Sequence, residues 1–190
     1  MVLILTGHSG AGKDTVSNAL QEKGYFTAIT PHSTRAMRTG EVEGNPYFFI
    51  TVPEFKNMAD TGKFIEYASY TTQFDGVEDT AYYGTAYTSI PEGCDSIVTI
   101  GVLAGLELKV WLGEQAILVY LHVDDATREA RAKARGSFDL TEWDNRLKQD
   151  HERFANGLPN GIDIRIDNMQ SLELTVAVIL THLKVTNESN

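Results

Sequence analysis

Leu3-Ile4-Leu5-Thr6-Gly7-His8-Ser9-Gly10-Ala11-Gly12-Lys13-Asp14-Thr15 is the stretch that decides the fold. An apolar run ends at Gly7, a glycine-rich loop follows, and Lys13 opens a segment with Val16, Ala19 and Leu20 at helical spacing. Strand, loop and helix in that order, with G-x-x-x-x-G-K across the turn, cradle a nucleotide's phosphates. The glycines let backbone N–H groups converge on an anion without Cβ clashes. The helix N-terminus adds the positive end of its dipole, and the Lys13 ammonium reaches the outer phosphates. The candidate loop residues are Gly7, Ser9, Gly10, Ala11, Gly12, Lys13, Asp14 and Thr15. Asp14 stands where the motif has Ser or Thr to offer Mg²⁺ a hydroxyl.

Outward from that loop, the spacing predicts a helix over 14–23, a strand over 25–30, and a polar basic loop over 31–44. It then predicts a strand over 46–50, a helix over 53–62 and a strand over 63–70. Residues 71–80, with Asp75, Glu78 and Asp79, read as an acidic loop. Two apolar runs, 95–100 and 116–123, have the character of strands buried in a parallel sheet, with a helix over 102–112 between them. Helices over 126–135 and 141–156, a strand over 161–166 and a helix over 170–183 complete the chain. Alternating strands and helices predict an α/β fold, a parallel sheet with helices on both faces. The stretch 31–88 breaks the rhythm and reads as a mobile substrate-binding insert in a core of 1–30 and 89–190, with a lid at about 126–156. The layout is that of a P-loop NTPase fold of the kinase kind, because no N-K-x-D motif for guanine follows.

The 190 residues suit one domain. A net charge of −10 argues against nucleic acid as a partner, yet local Lys and Arg can hold a small phosphorylated ligand. The single cysteine, Cys94, allows no internal disulfide and suits a reducing cytoplasm. No apolar run is long enough to span a membrane, and no secretory signal opens the chain.

The basic loop runs Ser33-Thr34-Arg35-Ala36-Met37-Arg38-Thr39-Gly40-Glu41, followed by Gly44 and Tyr47. Two guanidinium forks beside hydroxyls match a phosphate monoester. Further on come Phe64-Ile65-Glu66-Tyr67, Tyr82-Tyr83-Gly84-Thr85 and Arg131-Ala132-Lys133-Ala134-Arg135-Gly136, then Arg146. These four motifs, in this order, resemble the guanylate kinase family, whose pattern is S-x-T-T-R-x-P-R-x-G-E-x-x-G-x-D-Y-x-F, F-x-E-W, Y-Y-G-[ST] and R-x-x-x-R-G. The resemblance implies a nucleoside-monophosphate kinase with ATP as phosphoryl donor and Mg²⁺ as cofactor. Arg35, Arg38, Tyr47 and Tyr83 would hold the acceptor's phosphate. Glu66 would accept guanine's N1–H and N2–H₂, and Thr85 would lie near O6. Lys13, Arg38, Arg131, Arg135 and Arg146 would be the catalytic cations.

The chain also departs from that pattern. Pro31 takes the place of the loop serine, and Thr99-Ile100-Gly101 takes the place of a D-x-D at a strand end. Asp14 could replace the lost carboxylate near Mg²⁺, with Asp124 or Asp125 as competitors. A related kinase acting on another deoxynucleotide or on a ribose bisphosphate stays open, because Lys13-Asp14-Thr15 also resembles the Gly-Lys-Asp form of those enzymes. So does a non-catalytic binding module of the same family.

Overall fold

The computed structural model describes residues 1–37, 40–74, 77–134, 140–155 and 157–183. Its central strand is β1 (Val2–Thr6), in which all five residues are buried. Burial on both faces is what an unbroken apolar run requires. After α1 (Lys13–Glu22) the chain makes β2 (Thr27–Ala28) and later returns for β7 (Ser96–Thr99), β8 (Ala116–His122) and β9 (Ile164–Asp167). These strands form one parallel sheet in the order β2-β7-β1-β8-β9. The strand order reverses beside β1, so a ligand crevice is expected beyond the carboxyl ends of the strands at that point.

Helices cover both faces. Leu20, Val176 and Ile179, from α1 and from α6 (Leu172–Leu183), pack with Leu3, Leu5 and Val119 on one side. Leu108 of α3 (Val102–Leu112) packs with Val2, Ile4, Val98 and Leu118 on the other. Two further helices, α4 (Asp125–Ala134) and α5 (Leu140–Arg153), follow β8.

Residues 32–86 build a second sheet of β3 (His32–Ser33), β4 (Phe48–Phe49), β5 (Phe64–Phe74) and β6 (Val77–Ala86), in the order β4-β3-β6-β5. Helix α2 (Val52–Asp60) covers it. Thr51 and Glu54 cap that helix reciprocally, and a proline lies in its first turn. Phe55 of α2 stacks on Phe64 with ring centroids 4.5 Å apart.

Two expectations change. The strand over 25–30 shrinks to Thr27–Ala28, because its exposed residues pair only at the sheet edge. The acidic loop over 71–80 is instead part of a hairpin. β5 runs on to Phe74 and from Glu66 onward pairs with β6 without a shift in register, with Thr71 opposite Thr80 and their hydroxyls 3.2 Å apart. The stretch carries no apolar alternation in sequence, so its β-branched threonines are outvoted by its acids.

Candidate active site

The phosphate loop sits at the carboxyl end of β1. Gly12 adopts the left-handed region at φ +85° where the loop enters α1, and a Cβ there would lie 2.9 Å from the Asn168 amide nitrogen. Only glycine fits both conditions without strain. Asn168 follows β9 directly and ties the loop down: its Nδ2 donates to the Ala11 carbonyl at 2.8 Å, and its Oδ1 accepts from Thr175 at 2.7 Å. Lys13 Nζ donates to the Gly7 and His8 carbonyls at 3.0 and 3.1 Å, which keeps its charge at the loop.

Asp14 and Thr15 are exposed at the first turn of α1. Asp14 Oδ1 accepts a 3.0 Å hydrogen bond from the Thr99 hydroxyl at the end of β7. The extra carboxylate therefore lies beside the position that lacks one. Among the described residues no cluster of three or more His, Cys, Asp or Glu could enclose a metal. An adjacent carboxylate and hydroxyl still fit Mg²⁺, which is usually held by one or two carboxylates, substrate phosphates and waters. The competing carboxylates are committed elsewhere. Asp124 caps α4 through Thr127, which holds its carboxyl below the usual range. Asp125 is held low chiefly by its bond to Arg128.

In the second sheet, the register sets Glu66 opposite Thr85, Ala68 opposite Tyr83 and Tyr70 opposite Ala81. Residues opposite one another share a face, so Glu66, Tyr70, Tyr83 and Thr85 look the same way. A bulge between Phe64 and Glu66 makes this possible, turning Phe64 and Tyr67 toward Phe55 and leaving Glu66 on the other side. Glu66 is 5% exposed, and its Oε1 accepts from the Thr85 amide at 3.1 Å. Burial pushes its carboxyl above the ordinary glutamate value of 4.5. The Thr85 hydroxyl beside it is buried and has no hydrogen-bond partner among the described residues.

Arg35 projects from the loop after β3. Its guanidinium grips Glu41 bidentately at 2.6 and 2.7 Å. Its carbon lies 5.1 Å from the Tyr47 ring centre, and Tyr47 packs edge-on to Tyr83 at 5.5 Å. Burial opposes the Arg35 charge, yet the Glu41 carboxylate more than offsets it and holds the pKa above the ordinary value. Arg35, Tyr47 and Tyr83 are thus brought together; Arg38 and Arg135 lie outside the described residues. Pro31 is buried and accepts from the Phe48 amide, a structural role for the residue in the serine's place. Arg131 comes to the phosphate loop: its Nη2 donates to the Asn168 carbonyl at 2.6 Å, and its Nη1 lies 3.5 Å from where a Gly12 Cβ would be. Arg146 is half-buried on α5, one turn before Asp150.

Several residues enter that motif spacing did not reveal. Tyr70 stacks edge-on to Tyr83, and its hydroxyl lies 2.5 Å from where a Gly101 Cβ would be, so the phenol fills the space of a larger residue at 101. Arg128, Asp150 and His8 surround the outer half of the phosphate loop. The only sequence signal for that group is Asp125 three residues before Arg128, a helix pair that usually means a surface bridge.

A family model for guanylate kinase matches residues 1–99 of this chain. Guanylate kinase 2, chloroplastic/mitochondrial, of Oryza sativa subsp. japonica is 33% identical over 123 residues, 64% of this chain and 41% of that protein. The guanylate kinase of Clostridium acetobutylicum is 32% identical over 141 residues, 72% of this chain and 64% of the relative. The chain therefore spans less than two thirds of either relative. The crystal structure of guanylate kinase from Anaplasma phagocytophilum superposes over 100% of this chain and 87% of its own, with a TM-score of 0.66 at 20% identity. That likeness is one of fold, and it agrees with the parallel sheet and phosphate loop described above. With its family match running from the loop through β7, this chain belongs to the guanylate kinase family of phosphotransferases.

Proposed function

We propose that this chain transfers the γ-phosphoryl group of ATP to the 5′-phosphate of GMP or dGMP, giving ADP and the matching diphosphate. The observation that carries this reading is the buried Glu66 carboxylate beside the buried Thr85 hydroxyl, which makes no geometrically good hydrogen bond among the described residues. Burying such a pair without a ligand is costly, and guanine offers what they lack. Its N1–H and N2–H₂ donate to one carboxylate, and its O6 accepts from a hydroxyl. Adenine offers neither donor at those positions.

Each part of the chain has a task in this reading. The loop amides and Lys13 hold the donor's phosphates, and Arg131 approaches them from α4. Arg35, Tyr47 and Tyr83 hold the acceptor's phosphate, with Arg35 exchanging Glu41 for the ligand. An acceptor phosphate oxygen attacks the γ-phosphorus in line, the bond from γ-phosphorus to the β–γ bridging oxygen breaks, and ADP leaves with that electron pair. No covalent intermediate on the protein is required. Positioning and neutralisation of charge on the equatorial oxygens supply the rate. Mg²⁺, held with Asp14 and Thr99, would supply positive charge between the phosphates. Residues 31–88 act as the acceptor-binding insert and about 126–156 as the lid; closure of the two excludes water.

A coupled assay of ADP release over all common nucleoside and deoxynucleoside monophosphates, with a ribose bisphosphate included, tests the reading. Turnover should be confined to GMP and dGMP. Preference for a pyrimidine nucleotide or a base-free sugar phosphate, or ATP binding without turnover of any acceptor, would overturn it.

A further inference from the structure

The phosphate loop is gripped from outside by two helices that follow β8, and both lie beyond the stretch that matches the family model. Arg128 of α4 is fully buried. Its Nη1 donates to the Ser9 carbonyl at 3.0 Å and to Asp150 Oδ2 at 2.9 Å, and its Nη2 donates to Asp125. Asp150 of α5, 4% exposed, uses that same Oδ2 to accept from the Ser9 amide at 3.0 Å. The Ser9 residue is therefore held at its N–H by a carboxylate and at its C=O by a guanidinium that are bonded to each other. The ring of His8, the preceding residue, meets Phe154 edge-on at 4.3 Å just past the end of α5. The Trp143 ring, also from α5, lies 5.8 Å from the Arg128 guanidinium carbon.

A buried ion pair is a poor way to gain stability, since desolvation consumes most of the Coulomb attraction. Apolar residues of similar volume would join α4 to α5 as well. What they could not do is hold both backbone polar groups of one loop residue. We propose that Arg128 and Asp150 are positioning residues for the phosphate loop, fixing the His8–Ser9 backbone so that the amides beyond it meet the donor nucleotide's phosphates without rearrangement. Neither residue touches the nucleotide. Their effect passes through the backbone, so it falls on the donor nucleotide and leaves the acceptor, bound by the insert, untouched. The inference rests on the loop's role as donor site in the proposed function.

The test is the double substitution Arg128→Met with Asp150→Leu, which keeps volume and removes both charges together. Mg–ATP affinity is read by calorimetry, acceptor KM by the coupled assay, and folding by a thermal melt. The expected result is a cooperative melt, a Kd for Mg–ATP raised at least tenfold, and an acceptor KM within twofold of the wild type. An Mg–ATP Kd within twofold of wild type, whatever the melting temperature, would overturn the proposal. Amide hydrogen exchange on the wild-type chain needs no variant: the Ser9 amide should be protected before nucleotide is added, and exchange at the rate of an open loop contradicts the grip. Wild-type protein that binds Mg–ATP but phosphorylates no guanine nucleotide sinks the acceptor reading and leaves this one standing. Wild-type protein that binds no Mg–ATP overturns both.

Discussion

Around the phosphate loop, the groups that face a ligand are backbone amides, and the side chains that hold them are buried: Arg128, Asp150 and Asn168. In the second sheet and its loops, the groups that the proposed function turns toward a ligand are themselves side chains, spread over the loop after β3 and strands β5 and β6. One of them, Arg35, is held by Glu41 in a pair that water reaches. Both regions contain an arginine gripping a carboxylate, yet the two pairs are not equivalent. Arg128 cannot change partners without leaving a charge unpaired in the interior, which is severe. Arg35 and Glu41, 13% and 18% exposed, are within reach of water, so on the proposed function Arg35 trades Glu41 for a phosphate at a smaller cost than Arg128 would meet. On the proposed function, the donor site is thus a fixed mould, and the acceptor site a set of exchangeable contacts.

The largest effect should come from breaking the mould's own charge. Lys13→Ala is expected to lower kcat by about 10²–10³-fold, as loss of a single charge-stabilising group typically does. Near-normal turnover in a steady-state assay would remove the loop from the chemistry.

Next comes the acceptor side. Glu66→Gln should lower kcat/KM for GMP by about 10–100-fold, the worth of hydrogen bonds to a charged group, with the KM for ATP unchanged. The same variant separates function from stability. Because burial raises the Glu66 pKa, the folded chain favours the protonated carboxyl. Its stabilising share is complete below the unfolded value and is lost as pH rises through the folded one. At neutral pH the neutral Gln variant should therefore melt at a higher temperature than the wild type. A lower melting temperature would mean that Glu66 holds the hairpin together. The same shift predicts that acceptor KM rises as pH falls toward the raised Glu66 pKa, while ATP KM stays flat. Parallel drift of the two constants would place the titration elsewhere.

The smallest effect is expected at the boundary between the regions. Asp14 is exposed and Thr99 half-buried, and charge interactions near water are worth about 0.2–1 kcal/mol. Asp14→Ser should move the Mg²⁺ midpoint of turnover by about two- to fivefold on that scale. An unchanged Mg²⁺ titration means that Asp14 does not share in holding the metal.

The same contrast explains what could be read from sequence. The loop was legible because its requirements are local: Gly7, Gly12 and Lys13 serve one turn, and their spacing is dictated by backbone geometry. Arg35 and its loop pointed to a phosphate by their chemistry, but Glu66, Tyr83 and Thr85 were candidates only through resemblance, since nothing in their spacing says that a bulge after Phe64 turns Glu66 inward. The grip on Ser9 was illegible. Arg128 and Asp150 stand 22 residues apart on separate helices, and they meet a loop more than a hundred residues earlier. Polar residues in amphipathic helices read as solvated faces until the packing is known. The acidic stretch 71–80 reads as a loop for a related reason: cross-strand pairing of threonines leaves no mark in apolar periodicity.

The measurement that tests the central claim most directly is the ratio of kcat/KM for GMP to that for inosine 5′-monophosphate, with AMP alongside. Inosine keeps O6 and N1–H but lacks the exocyclic amine, so only the second bond to Glu66 is removed. A site that reads guanine through one buried carboxylate should favour GMP over the inosine nucleotide by about tenfold or more, the worth of one charge-assisted hydrogen bond. It should also give no measurable turnover of AMP. Equal use of GMP and the inosine nucleotide, or phosphorylation of AMP at a comparable rate, would contradict the account.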